Sequence, residues 1–192
     1  MARSTAAAPR GEAPPRAWWL AGLAVVVLAV AALLAAYARV HPGDGAALTT
    51  LWFSGMLQMK AWLATAALVL VVTQILSALA MWGHLPRVTS TPPWVAVLHR
   101  WSGTVAFLLT LPVVFHCVWS LGFSDSSPRT LVHSIAGCLL YGVFAAKMLA
   151  LRVRGMPSGL VPLLGGALAA LIVIAWFTSA LWFFGQPDVA KF

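Results

Sequence analysis

Apolar residues fill five long stretches of this chain, and polar or charged residues gather between them. Each stretch reaches the ~20 residues that an α-helix needs to cross the hydrocarbon core of a bilayer. The pattern therefore predicts five transmembrane helices, at about Trp18 to Val40, Leu57 to Trp82, Val95 to Leu121, Thr130 to Leu151 and Leu160 to Phe184.

The connections between these stretches are short and rich in turn-forming residues, as in 122–128 and 155–159. Short connections make consecutive helices antiparallel neighbours. The predicted fold is all-α: a polytopic membrane helical bundle over residues 18–192, with a four-helix core made by spans two to five. Residues 1–17 are rich in Ala, Pro and Arg and lack an apolar period, so we predict a disordered cytoplasmic tail there.

The composition agrees with a membrane protein and excludes a soluble catalytic domain. The chain is 61% hydrophobic and only 8% charged, whereas roughly a quarter of a soluble domain is charged. It contains no phosphate-binding loop, no dinucleotide glycine fingerprint and no serine elbow. We therefore predict no catalytic residue and no stand-alone enzyme.

The distribution of basic residues predicts the orientation. With the N-terminus in the cytoplasm, the inner side holds eight basic residues and the outer side four, which satisfies the positive-inside rule. The C-terminus then lies outside. The net charge of +8 is explained by this asymmetry, so no nucleic-acid partner is predicted. The first apolar run exceeds the length usual for a cleaved signal peptide, and we expect a retained anchor.

Three histidines, His99, His116 and His133, follow one another at 17-residue steps within spans three and four. An imidazole in hydrocarbon costs free energy unless a partner compensates it. His116 near the outer end of span three and His133 near the outer end of span four are expected at the same depth. Two imidazoles on different helices are what bis-histidine ligation of haem needs. We therefore predict that His116 and His133 hold one haem b.

The presence of a second haem at the inner end is left open by the sequence. His99 is separated from His116 by ~25 Å of helix rise and by roughly 100° in direction. Pro112 lies between them, and a kink there either corrects the direction or lets the two rings face different helices. The expected partner of His99 is His84, with the sulfur of Met81 or Met148 as the alternative.

Glycines follow two of these histidines at the same spacing, in His99-x-x-x-Gly103 and His133-x-x-x-Gly137. Residues four apart share a helix face. Each glycine is therefore expected to leave room for a porphyrin, and ordinary close helix packing is the alternative.

Two arginines stand beside the same histidines. Arg129 precedes His133 by four residues and Arg100 follows His99. We expect them to bind haem propionates, and snorkelling to the interface is the alternative. Cys117 and Cys138 match no metal-ligand spacing and are interpreted as packing residues, with a disulfide as the alternative.

Several of these residues also carry a resemblance. They resemble a group of actinobacterial five-helix membrane proteins of unknown function and, more distantly, b-type di-haem cytochromes of the b561 and ferric-reductase-like kind. The resemblance covers about residues 57–185. It rests on Leu98-His99-Arg100-Trp101-Ser102-Gly103, His116-Cys117, Arg129, His133-Ser134, Gly137-Cys138 and Tyr141-Gly142.

The cytochrome resemblance implies a four-helix core with two haems near opposite faces of a bacterial plasma membrane. The matching positions are His99, His116 and His133, while span five departs from the pattern because it contains no histidine. The function that we predict is an electron-transfer or oxidoreductase subunit in the lipid bilayer. It would pass electrons between a quinol or other donor and an external redox partner.

Two other functions are weighed against electron transfer. The first is a non-enzymatic structural or assembly subunit of a larger membrane complex, without haem. The second is a metal or proton pathway from His99 to His133. Such pathways usually use carboxylates inside the membrane, and the acidic residues all lie outside the predicted spans, at Glu12, Asp44, Asp125 and Asp188.

Overall fold

The computed structural model describes residues 16–86, 90–153, 155–187 and 189–190, and the regular elements in that part of the chain are all helices. Residues 1–15, and with them most of the expected tail, lie outside the described residues. The long helices are α1 (Arg16–Val40), α2 (Met56–Met81), α3 (Pro93–Phe115), α4 (Pro128–Ala150) and α5 (Leu160–Trp176). Two π-helical segments, His116–Leu121 and Phe177–Leu181, continue α3 and α5, and α5 finishes with Trp182–Phe184.

All five helices, taken with these continuations, are long and apolar enough to cross a membrane. The five predicted spans are thereby confirmed, with ends that differ from the prediction by about two residues at most. Many large apolar side chains point away from the bundle. A multi-pass membrane protein in contact with lipid is what this arrangement indicates.

Helix α1 is part of the bundle. It packs along α4, while α2 packs along α3 and also contacts α5, which in turn packs along α4. At Gly142 the two backbones come so close that a Cβ atom would lie 2.4 Å from the carbonyl oxygen of Val27. The expected core of spans two to five is therefore incomplete, because α4 buries its small residues against α1.

Helices α3 and α4 are separated by large side chains. The Phe107 ring of α3 stacks on the Phe144 ring of α4, with centroids 3.9 Å apart, and the Tyr141 hydroxyl donates to the Thr110 carbonyl at 3.0 Å. These aromatic residues prevent the close approach that glycine allows between α1 and α4. The gap between α3 and α4 widens into a cavity beyond them.

The cavity lies at the end of the bundle where α4 begins, which we call the His133 end; the opposite end is the His99 end. Ser127 caps α4, because its hydroxyl oxygen accepts from the Thr130 amide at 3.2 Å, and the Thr130 hydroxyl oxygen accepts from the Ser127 amide at 3.0 Å. This reciprocal cap fixes the start of the helix. It places Arg129 and His133 within the first two turns.

Candidate functional site

A central cavity of ≈ 420 Å³ lies between the helices at the His133 end. A volume of about 300–1,000 Å³ is typical of sites for small molecules and cofactors. Residues of all five helices line the cavity, and most of them are apolar. Its chemically distinctive side chains are Lys60, Cys117, Arg129, His133 and Cys138.

His133 lines this cavity, and the α5 span holds its ring. Its Nδ1 atom lies 3.2 Å from the Ala175 carbonyl oxygen and 3.2 Å from the Thr178 hydroxyl oxygen, both on the α5 span. A carbonyl oxygen can only accept, so Nδ1 is the donor in this contact. Histidines that bind metals are usually held in this way, by a hydrogen bond from the other ring nitrogen.

His116 does not share the cavity. Its ring is fully buried and borders a different pocket, between α1, α3 and the Leu48–Thr49 segment. Nδ1 donates to the Pro112 carbonyl at 2.7 Å, and Nε2 accepts from the Thr49 amide at 3.4 Å. The structure therefore does not bring His116 and His133 together, and both nitrogens of His116 already have protein partners.

Cys117 takes the place on α3 that was expected for His116. It is 18 residues from His99, which is five turns of ideal helix and hence the same face. Its thiol has the Lys60 ammonium and the His133 ring as hydrogen-bonding neighbours. The sequence did not predict that Cys117 and Lys60 line the cavity, because Cys117 was interpreted as a packing residue and Lys60 was one of the four basic residues counted on the outer side.

Arg129 and Gly137 line the same cavity as His133. The Arg129 guanidinium donates to the Thr178 carbonyl at 2.5 Å and lies over the Trp182 ring, 4.2 Å from its centroid. No atom would lie within 4 Å of a Cβ atom at Gly137, so the space one turn from His133 is open.

At the His99 end the corresponding space is filled by the protein. The Gln74 amide donates to the His99 carbonyl and to the Ser102 hydroxyl, at 2.6 Å for the latter, and so connects α2 to α3. A Cβ atom at Gly103 would lie 3.0 Å from the Gln74 side-chain oxygen. Gly103 therefore accommodates an amide of the protein and leaves no gap for a porphyrin.

The His99 ring has a protein partner as well. Its Nδ1 atom lies 2.8 Å from the Ser77 hydroxyl, and the Lys147 ammonium of α4 is close enough to interact with it electrostatically. His84 follows the end of α2 and is exposed, so the structure does not bring it to His99. The other residues expected to contribute at this end, Arg100, Met81 and Met148, are also exposed.

Metal binding by the protein alone finds no support in the described ranges. No group of three or more His, Cys, Asp or Glu side chains there is placed to hold a metal ion. Cys117 and Cys138 are free thiols. Of the two acids that the structure describes, Asp125 pairs with Arg39 at 2.8 Å on the surface, and Asp44 accepts from the Ala46 amide, so neither lines the cavity.

Comparisons with known proteins give a family but no described activity. No curated protein and no solved structure matches the chain. The resemblance to b-type cytochromes therefore depends on the motifs alone. One family profile matches residues 20–191, nearly the whole of the chain. The chain accordingly belongs to the family of unknown function DUF6529.

Proposed function

We propose that this protein is a membrane electron-transfer subunit that holds one haem b in the central cavity through His133. The observation that carries the proposal is the state of the His133 ring. Nδ1 is held by the Ala175 carbonyl, and the ring lines a cavity of ≈ 420 Å³, where the Cys117 thiol is its neighbour. This is an imidazole prepared to ligate iron.

The other lining residues fit a haem in part. Arg129 and Lys60 supply two positive charges to an otherwise apolar cavity, as two propionates require, and the described lining contains no carboxylate. Gly137 leaves space beside His133. The fit is incomplete in one respect, because α3 offers no second histidine to the cavity. A haem at the His99 end is not part of the proposal, since Gln74 fills that space.

The chain itself would perform three tasks. His133 orients the cofactor, Arg129 and Lys60 balance its negative charge, and the aromatic residues between α3 and α4 close the floor of the cavity against the bilayer interior. Bound haem supplies one-electron redox chemistry. With a cytoplasmic N-terminus in a bacterial plasma membrane, the cavity lies near the external face, within reach of a quinol and of an external redox partner.

The test compares two histidines at equal depth. Protein purified from haem-sufficient cells should show a Soret band, a sharp reduced α band and a haem b signal in the pyridine haemochrome assay. His133→Ala should remove the haem while the protein still inserts. His116→Ala, the matched control, should keep it. A colourless wild-type protein contradicts the proposal, as does haem loss in His116→Ala alone.

A structural or assembly subunit of a larger membrane complex is the second candidate function. The observation in its favour is that the rings of His99 and His116 are hydrogen-bonded within the protein, as expected of residues that tie a bundle together. It predicts a colourless protein in which His133→Ala lowers thermal stability or the recovery of partner subunits.

A further inference from the structure

A lateral groove of ≈ 570 Å³ lies beside the central cavity, between α1, the α3 span and the Leu48–Thr49 segment. We call it the α1/α3 groove. Three of its lining residues, Leu111, Phe115 and Trp119, are exposed, and all three belong to a membrane-spanning helix. Because exposed side chains at the depth of a spanning helix face acyl chains, the groove opens toward the lipid.

A partition of three aliphatic side chains separates the α1/α3 groove from the central cavity. Leu34 of α1 and Val114 and Val118 of the α3 span line both spaces, so they form the boundary between them. None of these side chains has a hydrogen-bonding group, and packing alone holds the partition closed. Valine in a helix is stiff about χ1, whereas leucine changes rotamer more freely. Leu34 is therefore the side chain whose movement opens the partition.

The surface end of the cavity is crossed by a segment that hydrogen bonds hold in place. Phe123 and Ser124 line the cavity there. The Phe123 amide donates to the Ala38 carbonyl at 3.0 Å, and the Ser134 hydroxyl donates to the Ser124 carbonyl at 3.0 Å. Opening this end breaks hydrogen bonds, which costs more than a change of rotamer at Leu34. The easier route into the cavity therefore leads through the partition, from the lipid.

We propose that the central cavity takes its ligand from the bilayer, through the α1/α3 groove and past Leu34. The ligand is then a membrane-soluble amphiphile, whose apolar body crosses the aliphatic partition and whose anionic group meets Lys60 and Arg129. Haem is one such molecule, and the inference rests on the proposed function only in treating the cavity as a ligand site. It goes further by assigning a route and, with it, a class of ligand that excludes water-soluble anions.

The experiment uses the two cysteines of the chain as reporters, because Cys117 and Cys138 are free thiols that both line the cavity. Full-length protein from haem-depleted cells is placed in lipid nanodiscs, which expose both ends of the bundle to water, and its alkylation by lipid-soluble N-phenylmaleimide is timed. Leu34→Trp, which fills the partition, should lower the rate by about tenfold, equivalent to ~1.4 kcal/mol of barrier. Leu33→Trp is the matched control, since the neighbouring Leu33 side chain is 70% exposed, and it should keep the wild-type rate.

Leu34→Ala keeps the test decisive if the tryptophan variant does not fold. It removes most of the partition on the α1 side and should raise the rate, whereas Leu33→Ala should not. Equal rates in all variants overturn the inference, as does a wild type that reacts faster with a sulfonated, water-soluble maleimide or that neither reagent labels until it is denatured. Haem content is measured separately, in protein from haem-sufficient cells. A colourless protein whose labelling depends on Leu34 overturns the proposed function and leaves the route standing.

Discussion

At the scale of single residues, the use of each histidine depends on what its two ring nitrogens already contact. Both ring nitrogens of the buried His116 are hydrogen-bonded, whereas the His133 ring is held through Nδ1 by α5 and lines a cavity beside the Cys117 thiol. The sequence gives the type of each residue and its expected depth in the bilayer. It does not give the direction of a ring, so it cannot separate a ligand from a hydrogen-bonded core residue.

Arg129→Gln should weaken haem retention by about tenfold. The guanidinium lines the cavity beside His133, and a hydrogen bond to a charged group contributes about 1.5–3 kcal/mol. The measurement is the rate of haem transfer to an excess of apomyoglobin. Arg39→Gln removes a basic residue at the same end that is paired on the surface with Asp125, and its rate should equal the wild-type rate. Equal rates for both variants would contradict a role for Arg129 in binding.

Gln74→Leu should destabilise the bundle by about 1 kcal/mol, which is typical of polar contacts between membrane helices. The amide connects α2 to the His99 carbonyl and the Ser102 hydroxyl of α3, and leucine can replace neither bond. Thermal unfolding in detergent measures the change. Thr104→Val is the control, since the exposed Thr104 hydroxyl bonds only to the Arg100 carbonyl of its own helix. A stability loss in the control alone would show that Gln74 is dispensable.

At the scale of the helices, the length of each helix was predictable, but the face that it turns toward its neighbours was not. Uninterrupted apolar runs fix where a helix can cross a bilayer, so the five ranges agreed with the structure. The face that each helix turns inward depends on its neighbours, and the π-helical turn after Phe115 changes that face near His116. The partner of α1 was also unpredictable, because Gly142 meets Val27 across a large separation in sequence.

Gly142→Ala should destabilise the packing of α1 on α4 by about 1–3 kcal/mol, the usual cost of overpacking a close contact. A methyl group there would lie 2.4 Å from the Val27 carbonyl oxygen and would separate the two backbones. Gly166→Ala is the matched control on α5, where a Cβ atom meets nothing within 4 Å. The midpoint of thermal unfolding in detergent should fall for the first variant and stay or rise for the second.

At the scale of the whole molecule, the structure has two ends with different contents. The His133 end contains an open cavity with a histidine, two thiols and two cations, and the His99 end contains a closed network of Gln74, Ser77, Ser102 and the His99 ring. Approximate symmetry between the ends was suggested by the repeated His-x-x-x-Gly motif. In the structure, the glycine of this motif borders open space at the His133 end and a packed side-chain amide at the His99 end.

Reporter fusions test how these ends are oriented. Alkaline phosphatase fused within 122–127 should be active, and green fluorescent protein fused within 155–159 should fluoresce, because the eight-to-four distribution of basic residues places the first connection outside and the second inside. Activity at 155–159 and fluorescence at 122–127 would reverse the orientation and move the cavity to the cytoplasmic face.

The cavity wall includes residues from the first helix to the last, among them Leu34 of α1 and Ala175 of α5. Ala175 and Thr178, which contact the His133 ring, lie on the last of the five helices. The cavity is therefore incomplete until the α5 span has packed against α4. Any ligand of this cavity would have to enter a bundle in which all five helices are already assembled.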